Sequence, residues 1–154
     1  MDYQIDIVEM PEQHAAVATT EPIGVPQIAQ FLGGAFGEVV NLVAGQTDVE
    51  ITGPPFARYV IQDDGLFGIE AGFPVSGKIE PVGRVAMIEL PGGQAARTLH
   101  KGAYDLVSDA YHAIERWERE NGYTAAGLPW ESYLDEAEVA QPRTVVSAPI
   151  RRRE

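Results

Sequence analysis

The chain has no cysteine in its 154 residues, which excludes a disulfide framework and a thiolate metal site and fits a reducing compartment. It has no run approaching the roughly 20 apolar residues of a membrane span. The N-terminus Met-Asp-Tyr-Gln-Ile-Asp lacks the basic and apolar regions of a signal peptide, so a soluble cytoplasmic protein without a membrane partner is expected. Basic residues are scarce: 11 Lys and Arg against 23 Asp and Glu leave a net charge of −12, which repels a phosphate backbone and argues against direct nucleic-acid binding. The only basic cluster, Arg151-Arg152-Arg153, reads as a C-terminal tail over residues 151–154. There is no Gly-x-Ser-x-Gly, no Gly-x-Gly-x-x-Gly, and no Gly-x-x-x-x-Gly-Lys followed by Ser or Thr. Acyl-serine, dinucleotide and nucleotide chemistry therefore lack their signatures, and no cofactor is expected. His14, His100 and His112 are too scattered to suggest a metal site.

What is present reads as one domain over residues 1–150. Residues 3–9 mix alternation with a short apolar run, and residues 15–20 read as the returning strand of a hairpin. From Pro26 the spacing becomes helical, with Ile28, Phe31, Leu32, Ala35, Phe36, Val39, Val40 and Val43 on one face and a stop near Gly45. Gly33, Gly34 and Gly37 lie inside this helix, each costing about 1 kcal/mol relative to Ala. Either backbone or ligand approaches closely there or the helix is locally weak. A second hairpin pairs residues 56–62 with 67–75 around Asp63-Asp64-Gly65, and a third pairs 84–90 with 94–100 around Pro91-Gly92-Gly93. A second helix opens near Asp105, buries Leu106, Val107, Ala110, Tyr111, Ile114 and Trp117, and closes at Asn121-Gly122. The last strands, 130–134 and 144–148, are joined by an acidic connection over 135–141.

The two halves repeat. Val8-Glu9-Met10-Pro11 matches Ile88-Glu89-Leu90-Pro91 at an offset of 80, as Ala15-Ala16 matches Ala95-Ala96. Gly53-Pro-Pro-Phe-Ala-Arg-Tyr59 matches Gly127-Leu-Pro-Trp-Glu-Ser-Tyr133 at an offset of 74. Each half then runs strand, strand, helix, strand, strand. The expected fold is α+β, made of two β-β-α-β-β repeats (about 3–75 and 83–149) related by a pseudo-twofold axis, with two main helices packed on an antiparallel sheet.

The informative difference between the copies is Ala57 against Glu131. Residues two apart in a strand share a face, so Glu131 and Tyr133 point the same way. A desolvated carboxylate beside aromatics can balance a lipophilic cation or, with a raised pKa, act as general base or acid. Tyr59, Tyr104, Tyr111, Tyr133, Phe36 and Trp130 are the candidate aromatic lining, with Tyr104 and Tyr133 favoured. Glu70 could reach the same cavity or pair with a basic strand neighbour.

The run 105–117, the Gly-x-Pro-Trp-Glu-Ser-Tyr-Leu motif, the His100-Lys-Gly-Ala-Tyr104 loop and Phe67-Gly-Ile-Glu-Ala-Gly-Phe-Pro-Val75 together resemble the gyrase-inhibitor-like (GyrI-like) family across nearly the whole chain. The resemblance implies a small-molecule-binding domain of the kind fused to AraC-type and MerR-type regulators, with an aromatic cavity around a central Glu that matches Glu131. No helix-turn-helix region is recognisable. Two functions are expected as alternatives. The first is a stand-alone binding module that sequesters or senses hydrophobic or aromatic compounds, cationic or neutral, lined by Glu131, Tyr59, Tyr104, Tyr111, Tyr133, Phe36 and Trp130. The second is a detoxifying hydrolase of cyclopropane-bearing natural products, with Glu131 as general base assisted by Tyr133 or Tyr104, because some stand-alone members of the family do this with a Glu and a Tyr.

Overall fold

The computed structural model describes residues 3–135 and 139–154, so residues 136–138 of the expected acidic connection lie outside the described residues. Among the described residues the chain forms two α-helices and nine strands whose described pairings are antiparallel, the α+β class expected. It divides into two compact units, Glu12–Leu90 and a second made of Pro91–Glu154 with the N-terminal stretch through Pro11.

In the unit Glu12–Leu90, strand β2 (Gln13–Ile23) lies between β4 (Phe67–Val75) and β5 (Val85–Leu90), and β3 (Phe56–Ile61) pairs with β4. Ala15, Ala16, Val17 and Ala18 in β2 are fully buried, and their small side chains let neighbouring backbones approach closely. The tightest approach is at Gly72, where a Cβ would lie 1.8 Å from the Ala16 carbonyl oxygen. Gly72, Gly77 and Lys78 have the spacing of a phosphate loop, but Ile79 replaces its hydroxyl residue and Gly72 sits within β4. The hairpin between β3 and β4 forms as expected, with Gly65 at φ +84° and the Leu66 N–H donating to Asp64 Oδ1 at 3.0 Å.

Helix α1 (Val25–Ala44) packs on β2 and β4 through Phe31, Ala35, Val39 and Val43, one residue per turn on the expected face. Pro26 starts it, the Gly24 N–H donates to Gln27 Oε1 at 2.8 Å, and Gly45 ends it. For the interior glycines, the backbone part of that choice is answered among the described residues. A Cβ on Gly33 or Gly37 would meet nothing within 4 Å, and one on Gly34 would meet only Arg84 Nη2 at 3.8 Å. These glycines weaken the helix and admit no backbone.

The other unit orders its strands β1 (Asp6–Met10), β6 (Gly93–Lys101), β9 (Arg143–Arg152), β8 (Trp130–Tyr133), with β7 (Tyr123–Ala125) on the far end of β9. Helix α2 (Ser108–Asn121) lays Ala110 and Ile114 on Ala96, Val146, Ala148 and Ile150, with Tyr3, Val107, Tyr111 and Trp117 at the margin. Gly122 closes it in the left-handed conformation at φ +80°. The expected start near Asp105 is a 3₁₀ turn, Tyr104–Leu106, ahead of the α-helix, and this takes Leu106 out of the helical register and leaves it 54% exposed. The basic segment expected as a tail begins inside β9, where Arg152 pairs with Tyr123.

Two expected hairpins are absent. The strand before Pro11 pairs with β6, not β2, and the strand before Pro91 pairs with β2, not β6. A two-residue hairpin loop needs positive φ at its first central residue, which Pro cannot adopt, so at both prolines the chain continues extended into the other unit. Each unit is therefore assembled from both halves of the sequence.

Gly37→Ala is expected to stabilise the protein by about 1 kcal/mol, raising Tm by roughly 2–4 °C, because the site is open and the helix gains propensity. Gly72→Ala is expected to cost about 3 kcal/mol or more, since backbone must move. Thermal melts of both variants check the pair, and a tolerated Gly72→Ala would contradict the close strand approach.

Candidate functional site

Alternation along β8 sorts its four side chains between two faces. Glu131 stands opposite Val146 and Tyr133 opposite Thr144, and Val146 belongs to the core beneath α2, so Glu131 and Tyr133 face that helix. Trp130, opposite Ser147, projects from the other face of the strand. Sequence proximity had grouped Trp130 with Glu131, and the two-residue period separates them.

Glu131 is only 6% exposed, unusual for a carboxylate, and both of its oxygens are held by phenols. Tyr111 Oη, from α2, donates to Oε2 at 2.7 Å, and Tyr133 Oη, two residues along β8, donates to Oε1 at 2.9 Å. Among the described residues no Lys or Arg stands within ion-pair distance of it. Burial pushes the carboxyl above the usual Glu value, while the Tyr111 and Tyr133 hydrogen bonds and the nearby His100 pull it back down.

Tyr104 joins through its ring, which meets Tyr133 edge-on at 5.6 Å and 72°. Its hydroxyl donates to the Asp135 carbonyl at 3.3 Å. Asp135 is itself anchored by Arg143, whose Nε and backbone N–H each donate to Oδ2 at 2.9 Å, and this guanidinium holds the Asp135 carboxyl below its usual range. The Gly102 N–H donates to the Pro142 carbonyl at 3.0 Å, so the segments carrying Tyr104 and Tyr133 are tied together.

Glu131, Tyr104, Tyr111 and Tyr133 are thus brought together within one unit. Phe36 and Tyr59 belong to the other, where Phe36 meets Phe73 edge-on at 5.8 Å and Tyr59 meets Phe67 at 6.2 Å. Glu70 takes the basic-neighbour alternative, facing Arg58 across the β3–β4 pair with Arg58 Nη2 at 2.8 Å.

Three polar residues on or beside this face carry no signal strong enough to single them out in the sequence. His100 is 2% exposed, and its Nε2 faces the Ala103 carbonyl at 2.9 Å. A carbonyl can only accept, so Nε2 donates there, and Nδ1 pairs with Tyr3 Oη at 2.8 Å. Burial, and then Asp109, raise the Tyr3 phenol above its usual value. Thr144, fully buried between His100 on β6 and Tyr133 on β8, has a hydroxyl without a hydrogen-bond partner among the described residues. Ala96, Thr98 and His100 alternate with exposed Leu99 and Lys101, a period that could have placed His100 inward. Tyr3, 97 residues away, could not have been found that way.

The folded protein holds the Glu131 proton more tightly than the unfolded chain does. Stability linked to this group is therefore full below the ordinary carboxylate pKa and is lost as pH rises through the raised folded value. Glu131→Gln, which cannot ionise, is expected to melt above the wild type at pH 7, with the difference shrinking below about pH 4. An equal difference at both pH values in paired thermal melts would rule out a desolvated carboxylate.

Solved structures share this fold. The EcmrR C-terminal domain superposes with a TM-score of 0.82 at 21% identity, covering 99% of both chains. EcmrR in its cryo-EM complex with DNA gives 0.81 at 19% identity, with 97% of this chain covering 58% of that one. SAV2435 bound to tetraphenylphosphonium gives 0.60 at 13% identity, covering 98% and 94%. No curated protein sequence matches the chain. The family model for the GyrI-like small molecule binding domain matches residues 3–151, and the chain belongs to that family.

Proposed function

We propose that this chain binds hydrophobic, aromatic organic cations, with Glu131 as counter-charge and the rings of Tyr104, Tyr111 and Tyr133 as its aromatic wall. The observation that carries this reading is the buried Glu131 carboxylate, held only by two tyrosine hydroxyls and with no basic side chain at ion-pair distance among the described residues. A buried charge is ordinarily paired with an opposite charge, because removing it from water costs several kcal/mol. Here two neutral donors hold the place of a cation, and phenol faces offer the cation–π and dispersion contacts that a greasy cation needs. Membership of a small-molecule-binding family supports the reading, as does the relative solved with a lipophilic phosphonium. Such a domain could sequester its guest or report it to a regulator. Hydrolysis finds less support, since the two phenol hydrogen bonds take one acceptor position on each Glu131 oxygen and leave fewer for an activated water.

Titration calorimetry with tetraphenylphosphonium and its neutral relative triphenylphosphine oxide tests the proposal. Glu131→Gln is expected to raise the phosphonium Kd by about 5- to 150-fold, the 1 to 3 kcal/mol of a charge-assisted contact, and to leave the oxide nearly unchanged. Wild-type affinity for the cation should rise with pH through the raised Glu131 pKa, and the variant should show no such rise. Equal phosphonium affinity in wild type and variant would sink the counter-charge role.

A further inference from the structure

The Thr144 hydroxyl has no role in the contacts described so far. It is the side chain of a fully buried residue, with one donor and two acceptor positions, and among the described residues no partner takes any of them. A buried hydroxyl left unpaired is destabilising, and valine, its apolar isostere, would fill the same space without that cost. Its neighbours do not satisfy it. Both ring nitrogens of His100, opposite it on β6, are engaged by Tyr3 and the Ala103 carbonyl, and Tyr133, opposite it on β8, directs its hydroxyl to Glu131.

The register fixes where this group stands relative to the carboxylate. Glu131 faces Val146, and Thr144 lies two residues along β9 on the same face, which makes Glu131 and Thr144 a diagonal pair with backbones about 7–8 Å apart. Tyr133 links them, because its ring stands directly across from Thr144 while its hydroxyl occupies Glu131. On the cation-binding reading, a cation that replaces the Tyr133 hydrogen bond at Glu131 moves the side chain of the residue paired with Thr144, which puts the Thr144 hydroxyl within reach of the guest.

We propose that Thr144 is a specificity-determining residue of the Glu131 site, selecting organic cations that carry a neutral hydrogen-bonding group about 6–8 Å from the charge over purely hydrocarbon cations. This rests on the cation-binding reading of Glu131. The ligand class is accordingly an amphiphilic cation, aromatic around its charge and bearing a hydroxyl, ether or carbonyl at that reach. The selection follows from asymmetry: a guest with the polar group satisfies a hydroxyl that is otherwise unpaired, whereas a hydrocarbon guest leaves it so.

Two phosphonium probes differing in one group test this: triphenylphosphonium carrying a fourth 4-ethylphenyl arm, and the same cation with a 4-(hydroxymethyl)phenyl arm. In wild type the hydroxymethyl probe should bind more tightly. Thr144→Val should weaken the hydroxymethyl probe about 3- to 10-fold relative to the ethyl probe, and Thr144→Ser, which keeps the hydroxyl, should preserve the preference. The ligand-free Val variant should melt no lower than wild type. A lower Tm would show that the hydroxyl has an internal partner, and that overturns the proposal. Equal effects of Thr144→Val on both probes overturn it as well and leave the Glu131 reading standing. If wild type binds neither phosphonium, the Glu131 reading fails and this one with it.

Discussion

A carboxylate taken out of water with no Lys or Arg at ion-pair distance among the described residues is the constraint on which the rest of this site depends. Glu131 is buried and answered by two phenols, and each charge-assisted hydrogen bond recovers part of the lost hydration without neutralising the charge. Opposing effects thus set its proton affinity: burial favours the acid, and the two donors with nearby His100 favour the anion. Neither form is comfortable, which is the condition under which an incoming cation gains most from the group. A carboxylate already paired with Arg, as Glu70 is with Arg58, offers a guest no such advantage.

The scaffold around Glu131 supplies rigidity where the side chain needs it. β8 is four residues long and would be a weak element alone, yet it lies against β9, whose ten residues also pair with β6 and β7. Tyr111 comes from α2, which is fixed on the same strands through Ala110 and Ile114, so the two donors to Glu131 arrive from a helix and a strand that share one core. Tyr104 arrives differently, from a short 3₁₀ turn beside exposed Leu106, held by its own hydroxyl on Asp135 and by the Asp135–Arg143 pair. Of the three tyrosines it stands on the least regular backbone.

Much of this was legible in the sequence wherever the deciding physics is local. The 3.6-residue period places Phe31, Ala35, Val39 and Val43 inward, Asp63-Asp64-Gly65 dictates a turn, and the two-residue period puts Glu131 with Tyr133. The same period also separates Trp130 from Glu131, an inference the sequence permits and mere adjacency obscures. Strand partners at the two prolines were not legible. Pro-Gly-Gly signals a break in regular structure, but which strand pairs with which depends on long-range burial, and the chain passes Pro11 and Pro91 into the other unit. Each half opens with two strands and a helix, but two strands follow in the first half and three in the second, and the compact units mix the halves, so the repeat expected from the sequence is not a division into packing units. Tyr3 and Thr144 escaped for a related reason, since each matters through a partner or a vacancy of partners reached only across the sheet.

On the cation-binding reading, proton and guest compete for one group, and this couples affinity to pH with a fixed sign. With the Glu131 pKa raised, part of the population is protonated at pH values where an ordinary surface Glu is fully ionised, and a bound cation must displace that proton. Tyr111 and Tyr133 limit this penalty by stabilising the anion, yet each bond they make is also one that the guest must replace or accommodate. Donors that are too strong would hold the carboxylate against any ligand, and donors that are absent would leave it protonated and uncharged. Two neutral phenols lie between these limits. They keep the charge available, and on the cation-binding reading their rings would remain as apolar contact surface after a guest displaced their hydroxyls.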